Sequence, residues 1–430
     1  MEIKTYKYPD RTTWAAIQRR PELNVTSLLD TVQTVLNDVK MNGDEAIRRY
    51  GAQFDKVCVA DLQVSEDELN EAEKMLPDEL KEAIYIAHRN IEKFHAAQQF
   101  EELCLEIMPG VICRQKAVAI ERVGLYIPGG TAPLFSSVLM LATPARIAGC
   151  KEIVLCTPPN SEGKVHPAIL FAAKATGISK VFKVGGIQAI GAMTYGTESI
   201  PKVYKIFGPG NQYVVAAKQL VGLMDVAIDM PAGPSEVEII ADSTAIPAFI
   251  AADFLSQAEH GGDSQSLLVT TSISVAEAVK KEITNRFTQL PRRDFVEKSL
   301  AHSNIVILED EEKIVDFTNE YAPEHLIIQT ANYAEMSTKI INAGSVFLGP
   351  YTPESAGDYA SGTNHTLPTK GYAKMFSGVN LDSFMKKITF QEITEEGLKA
   401  LGPTIELMAE AELLEGHKKA VSVRLKYANP

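Results

Sequence analysis

Residues 121–138, ERVGLYIPGGTAPLFSSV, run from a β-rich apolar stretch through Gly129 and Gly130 into a segment holding Thr131, Ser136 and Ser137 in its first turns. A strand, a glycine turn and a helix in that order begin a βαβ unit. The same alternation continues outward: EIVLCTP, KVFKVGG and KVYKIFG are further strand candidates, alternating with Ala-rich helical stretches at 132–149, 165–176 and 211–222. A second series, VEIIAD, SLLVTT, NIVILE, HLIIQT and SVFLGP, is interleaved with helical stretches near 246–260, 273–287 and 331–342. The expected fold class is α/β, with two mostly parallel sheets. The first hundred residues read as helical, with a capping-box spacing from Ser65 to Glu68 and apolar residues three and four apart up to Lys93. From about Lys386 the pattern becomes amphipathic helix, with no strand after it, so this tail has to dock on something else.

The chain has 430 residues, roughly three ordinary domains' worth, enough to bury a core without disulfides or metals. Its 42 Lys and Arg against 55 Asp and Glu leave a net charge of -13, the wrong sign for binding a phosphate backbone. With 45% hydrophobic and 23% charged residues it reads as a folded protein. MEIKTYKYPD lacks the charged and apolar regions of a signal peptide, and no stretch approaches the run of about 18 apolar residues that spans a membrane, so a cytoplasmic location is expected. The five cysteines, Cys58, Cys104, Cys113, Cys150 and Cys156, are odd in number and lack CxxC spacing, which supports neither a disulfide framework nor a zinc knuckle.

Five constellations have residue types suited to chemistry, each with a plainer reading beside it. The glycine turns at 129–130, 185–186 and 208–210 either cradle a phosphate at a helix N-terminus or are tight βα turns, since none completes G-x-G-x-x-G. Gln257 and His260, three apart before Gly261 and Gly262, share a helix face as ligands or cap its last turn. Glu324 and His325 place a carboxylate beside an imidazole, two proton-transfer groups or a surface ion pair. They serve one site only if the loop distorts or Pro323 fixes the approach. In SAGDYASGTNHTLPT (355–369), Asp358 is a hard metal ligand or a turn residue, and His365 lies in the same polar loop. Glu412 and His417, five apart, lie off a common helix face unless the chain breaks at Gly416; the plainer account is a histidine at a helix end.

The order and spacing of ERVGLYIPGG, DMPAGPSEV, SQAEHGGDSQ, APEHL, GDYASGTNH and LLEGHKKAV, from Glu121 to Val421, resemble the histidinol dehydrogenase family along nearly the whole chain. The resemblance implies two incomplete Rossmann-like domains of aldehyde-dehydrogenase type, with a helical N-terminal region and a helical C-terminal tail exchanged in a homodimer. The implied division is an arm at 1–25, a discontinuous first domain at 26–120 and 236–380, a nucleotide-binding domain at 121–235 and a tail at 381–430. The implied activity is oxidation of L-histidinol to L-histidine through histidinal, with two NAD⁺ in turn and one Zn²⁺ per subunit. Zinc would be held by Gln257, His260, Asp358 and His417, and substrate contacted by these together with Ser235, His325 and Glu412. His325 would take the hydroxyl proton and Glu324 would activate water, while Tyr126, Gln188 and Asn211 would contact NAD. His365 is implied as a neighbour of the site. Gly262 and Gly416 depart from the family pattern, which has proline and more often alanine there, and neither removes a reacting side chain. Cys113 and Cys150 are read as structural thiols, not as a thiohemiacetal-forming nucleophile. Two other readings compete: a zinc- and NAD-dependent dehydrogenase of another small alcohol on this scaffold, and a zinc hydrolase in which the glycine turns are structural only.

Overall fold

The computed structural model describes residues 3–21, 28–129, 132–231, 233–290 and 292–428. Gly130 and Thr131 of the first glycine turn lie outside the described residues. Two compact units emerge, one of Met1–Ala97 with Ile120–Phe384 and one of Gln98–Ala119 with Met385–Pro430.

The first unit holds two parallel sheets. One has the order Lys4–Lys7, Asn304–Ile307, Gln265–Thr270, Glu236–Ala241, His325–Gln329, Ser345–Leu348. Its central strands are buried along their whole length because helices cover both faces. Alternate side chains feed opposite cores. Val237, Ile239, Leu268 and Ile327 pack with helices Pro247–Ala258 and Ile273–Phe287, while Ile240, Leu267, Val306 and Leu326 pack with Trp14, Phe317 and Tyr321. Each fully buried side chain of this size contributes roughly 1.5–3 kcal/mol. The expected N-terminal arm is in fact the edge of this sheet, since KTYK pairs in parallel with Asn304–Ile307. Four residues are too few to carry a readable period.

The other sheet has the order Lys180–Lys183, Glu152–Thr157, Arg122–Tyr126, Lys205–Phe207, Ala227–Ile228, all parallel, with the helices expected between its strands and one more, Gly186–Tyr195, opening at the second glycine turn. The grouping of 26–120 with 236–380 is corrected here. Helices Leu29–Tyr50, Glu66–Met75 and Asp78–Ala96 pack against the helices of this five-stranded sheet. Val32, Leu36 and Val39 enter one core with Ile187, Ile190 and Val214. Gly191 lets the helices close, since a Cβ there would sit 3.3 Å from Leu36 and Val39. The capping box is formed, with Ser65 Oγ accepting from the Glu68 amide and Glu68 accepting from the Ser65 amide.

The second unit corrects the reading of the tail. Met385–Ile393 is a strand, antiparallel to Val111–Ala119, which also pairs with Leu103–Met108. The tail therefore brings its own strand to a three-stranded sheet. MKKITFQEI lies almost wholly exposed and lacks the apolar alternation of a half-buried strand, so it was not legible as one. Helices Glu395–Ala411 and Glu415–Ala428 follow, and the chain turns between them at Leu413, whose φ is 60°, not at Gly416, which lies inside the second helix.

The third glycine turn is set by backbone contact. Gly208 has φ 122°, and a Cβ there would fall 2.0 Å from the carbonyl oxygen of Tyr126. The buried Lys218–Asp229 pair clamps the same residue, Lys218 Nζ donating to the Gly208 carbonyl at 2.8 Å and Asp229 accepting from its amide at 2.9 Å. Gly208→Ala is expected to destabilise the first unit by about 2 kcal/mol or more, read as a lower midpoint in urea unfolding; an unchanged midpoint would contradict this account of the turn.

Candidate active site

Three elements of the first unit converge at the carboxyl end of helix Pro247–Ala258, the start of strand His325–Gln329 and helix Glu354–Tyr359. Helix Glu311–Tyr321 stops at Ala322, which has a left-handed φ of 54°, and Pro323 then sends the chain into the sheet. Glu324 precedes the strand and His325 opens it, in register with Val237 of the neighbouring strand. The Glu236 peptide therefore lies between them. Its N–H donates to Glu324 Oε2 at 2.9 Å, and its carbonyl accepts from His325 Nδ1 at 3.2 Å. The backbone of one residue thus gathers two side chains that ideal strand geometry would send to opposite faces. Gly344 permits the close approach, because a Cβ there would be 2.6 Å from the Glu324 carbonyl oxygen.

Since a carbonyl only accepts, His325 donates from Nδ1, while Nε2 has no hydrogen-bond partner and lies 3.6 Å from Asp358 Oδ1. Glu324 Oε2 and Glu354 Oε1 each lie 3.7 Å from Nδ1. Burial works against charge on this ring, yet with no cation among them Glu354, Glu324 and Asp358 outweigh it and raise His325 to about 10; a divalent cation held by Asp358 would push it back down, as a proton-accepting role requires. Burial pushes Glu324 up to about 8 and the neighbouring Asp253 up to about 7.

Gln257 lies in the last turn of its helix, fully buried, with neither amide atom hydrogen-bonded. His260 lies two residues past the helix end, so the shared helix face expected from the spacing gives way to a turn in which the His260 amide bonds the Gln257 carbonyl. Ligand atoms of His260, Glu354 and Asp358 all lie within 4.8 Å of one another. Nitrogen and oxygen donors without thiolate, an orphaned amide and buried carboxylates short of positive charge fit a zinc ion that keeps open positions for a substrate.

His365 holds this cluster from behind. Its Nδ1 donates to the Asp358 carbonyl at 2.8 Å, so Nε2 accepts from Ser137 Oγ at 3.1 Å. Ser137 belongs to the helix that follows the first glycine turn, which ties the acidic cluster to the five-stranded sheet. At the carboxyl edge of that sheet, Tyr126 accepts from the Gly186 amide, Gln188 donates to Asp55 and Asn211 caps helix Gln212–Met224. A narrow crevice of about 10 Å³, lined by Asp55, Pro159, Lys183 and Gln188, opens there. Ser235 adjoins the Glu236 peptide. Glu412 and His417 belong to the second unit, where both are exposed. Cys150 and Cys113 have no place in the cluster, and burial pushes the Cys150 thiol up to about 12, which makes it a poor nucleophile.

Sequence reasoning missed Glu354, Asp253 and the part played by the Glu236 peptide. Only Glu354 left a signal, four residues before Asp358 and one turn away on the same helix.

A family model described as histidinol dehydrogenase matches residues 18–425. A protein named histidinol dehydrogenase from Bacteroides thetaiotaomicron is 62% identical over 423 residues, covering 98% of this chain and 99% of its own. One of the same name from Escherichia coli K12 is 51% identical over 409 residues, covering 94% and 93%. The crystal structure of histidinol dehydrogenase from Elizabethkingia anophelis matches with a TM-score of 0.98 and 54% identity, over 100% of this chain and 99% of that one. The shared sequence runs through the elements that carry Gln257, His260, Glu324, His325 and Asp358, and the chain belongs to the histidinol dehydrogenase family.

Proposed function

We propose that this chain oxidises L-histidinol to L-histidine through histidinal with two NAD⁺ in turn, on a site loaded with Zn²⁺. The observation that carries the reading is the backbone of Glu236, which holds a carboxylate and an imidazole together and leaves His325 Nε2 without a hydrogen-bond partner beside Asp358. Gln257, His260 and Asp358 would hold the metal, with His417 of the partner subunit. Bound there, zinc supplies an orienting template for the imidazole and amino nitrogens of the substrate, and NAD⁺ supplies the hydride acceptor. His325 Nε2 takes the hydroxyl proton of the alcohol as it is oxidised to the aldehyde. Glu324, raised to about 8 by burial, is suited to take a proton from the water that adds to the aldehyde, giving the hydrate whose oxidation is the second half-reaction. Ser235 beside the Glu236 peptide and Glu412 of the partner subunit complete the substrate contacts.

On the nucleotide side, the five-stranded sheet is read as an incomplete Rossmann unit, with Tyr126, Gln188 and Asn211 around its carboxyl edge as NAD contacts. Exchange of the tail between two subunits is supported by apolar surface on the second unit. Leu103, Leu105 and Ile107 are exposed on an edge strand, Leu407 and Met408 on the first helix, and Leu413 in the turn that follows it. No described helix is long and apolar enough to cross a membrane, and the five cysteines are free, which suits the cytoplasm.

Two NADH are expected per L-histidinol consumed, lost on chelation and restored by zinc; one NADH, or indifference to the chelator, would refute the four-electron reading. His325→Ala is expected to slow alcohol oxidation by roughly 10²–10⁴-fold. Glu324→Gln is expected to spare alcohol oxidation relative to oxidation of supplied histidinal, and equal loss in both half-reactions would remove the division of roles. His417→Ala and Gln257→Ala, each inactive alone, are expected to recover part of the activity when mixed, because one of the two shared sites is then intact. Verified subunit exchange without recovery would exclude a site built from both chains.

A further inference from the structure

Helix Glu354–Tyr359 presents two carboxylates four residues apart, and they bracket one imidazole. Asp358 Oδ1 lies 3.6 Å from His325 Nε2, and Glu354 Oε1 lies 3.7 Å from Nδ1, the opposite edge of the ring. Glu354 is 1% exposed, and neither of its oxygens has a hydrogen-bond partner. A carboxylate buried without donors costs folding free energy, so its place needs a compensating role. At 3.7 Å it stands beyond hydrogen-bond distance from Nδ1, whose proton goes to the Glu236 carbonyl. It acts on the ring by its field and by packing, not by taking that proton. Phe347 lies along the other side, its ring centroid 6.0 Å from that of His325. The charged and titratable groups facing Glu354 are His325, Asp358, Glu324 and Asp253. Among these, His325 alone carries positive charge, and it does so when Nε2 holds a proton.

We propose that Glu354 is a positioning residue for His325: its carboxylate, set against the Nδ1 edge, keeps the ring turned with Nε2 toward the reacting hydroxyl. The role rests on the reading of His325 as the base. Glu354 stands to Nδ1 as an orienting carboxylate stands to a base histidine in other enzymes, displaced by the backbone carbonyl that receives the hydrogen bond.

The test uses the full-length, zinc-loaded enzyme with Glu354→Gln, Glu354→Asp, His325→Ala and the double variant Glu354→Gln/His325→Ala. Glu354→Gln keeps the shape and removes the charge. It is expected to lower kcat for alcohol oxidation tenfold or more, with KM for histidinol and NAD⁺ within twofold of the parent and zinc content unchanged. Glu354→Asp, which keeps a carboxylate one methylene further back, is expected to recover part of that loss. In the His325→Ala background, Glu354→Gln is expected to cost less than twofold, because the group it acts through is gone. Parent-level kcat in both Glu354 variants overturns the proposal. Loss of zinc in step with activity also overturns it, by making Glu354 a ligand, and so does the same loss with and without His325. Parent-level alcohol oxidation in His325→Ala alone would instead bring down the base assignment itself, and the positioning role with it.

Discussion

The parallel pairing of Glu236–Ala241 with His325–Gln329, in the register that sets His325 beside Val237, is the constraint on which the active site depends. A slip of one residue would turn every side chain of the strand to the other face. The two strands are the middle of a sheet buried on both sides, and Ile239, Ile240, Ile327 and Ile328 hold the register through two separate cores. Only in this register does the Glu236 peptide stand where its N–H meets Glu324 and its carbonyl meets His325. The position of Glu324 and His325 is thus a consequence of hydrophobic burial several residues away.

The same strand is anchored from its other end of the sequence. Arg20 forms an ion pair with the Glu236 carboxylate, donates to the Tyr321 carbonyl at 2.8 Å and lies 3.8 Å from the centre of the Tyr321 ring. Tyr321 ends the helix that delivers Ala322, Pro323 and Glu324. One guanidinium therefore ties together the residue whose backbone receives Glu324 and His325 and the turn that supplies them. A bidentate, stacked arginine suits this because its planar fork meets carboxylate, carbonyl and ring in fixed directions. Burial pushes Glu324 and Asp253 toward neutrality, a cost that a bound divalent cation would offset.

The five-stranded sheet follows a different logic. There the polar groups belong mostly to turns and helix starts, with Gly208 pressed against Tyr126 and clamped by Lys218 and Asp229. His365 joins the two regions, bonding the Asp358 carbonyl with one ring nitrogen and Ser137 with the other. A metal-ligand candidate and the helix beside the cofactor edge are thereby held at one fixed separation.

Period and turn chemistry were enough to read the two α/β series, because strands buried on both faces are continuous apolar runs and their glycine turns are local. The family strings carried the site residues in the same way, as motifs of a few adjacent letters. What depended on distant partners was not legible. An amphipathic helix such as Leu29–Tyr50 states that it has a buried face, not which sheet will cover it, so 26–120 was joined to the wrong partner. KTYK and MKKITFQEI became strands only because another strand offered its edge. The pairing of Glu324 with His325 needed a peptide 88 residues away, and Glu354 took on meaning only when its helix turned it toward the ring. By itself the sequence determined the two α/β series, the family and the residue types of the candidate site. The tertiary structure decided which neighbours those residues meet, because hydrogen bonds and fields act over a few ångströms and the chain brings such distances together only by folding.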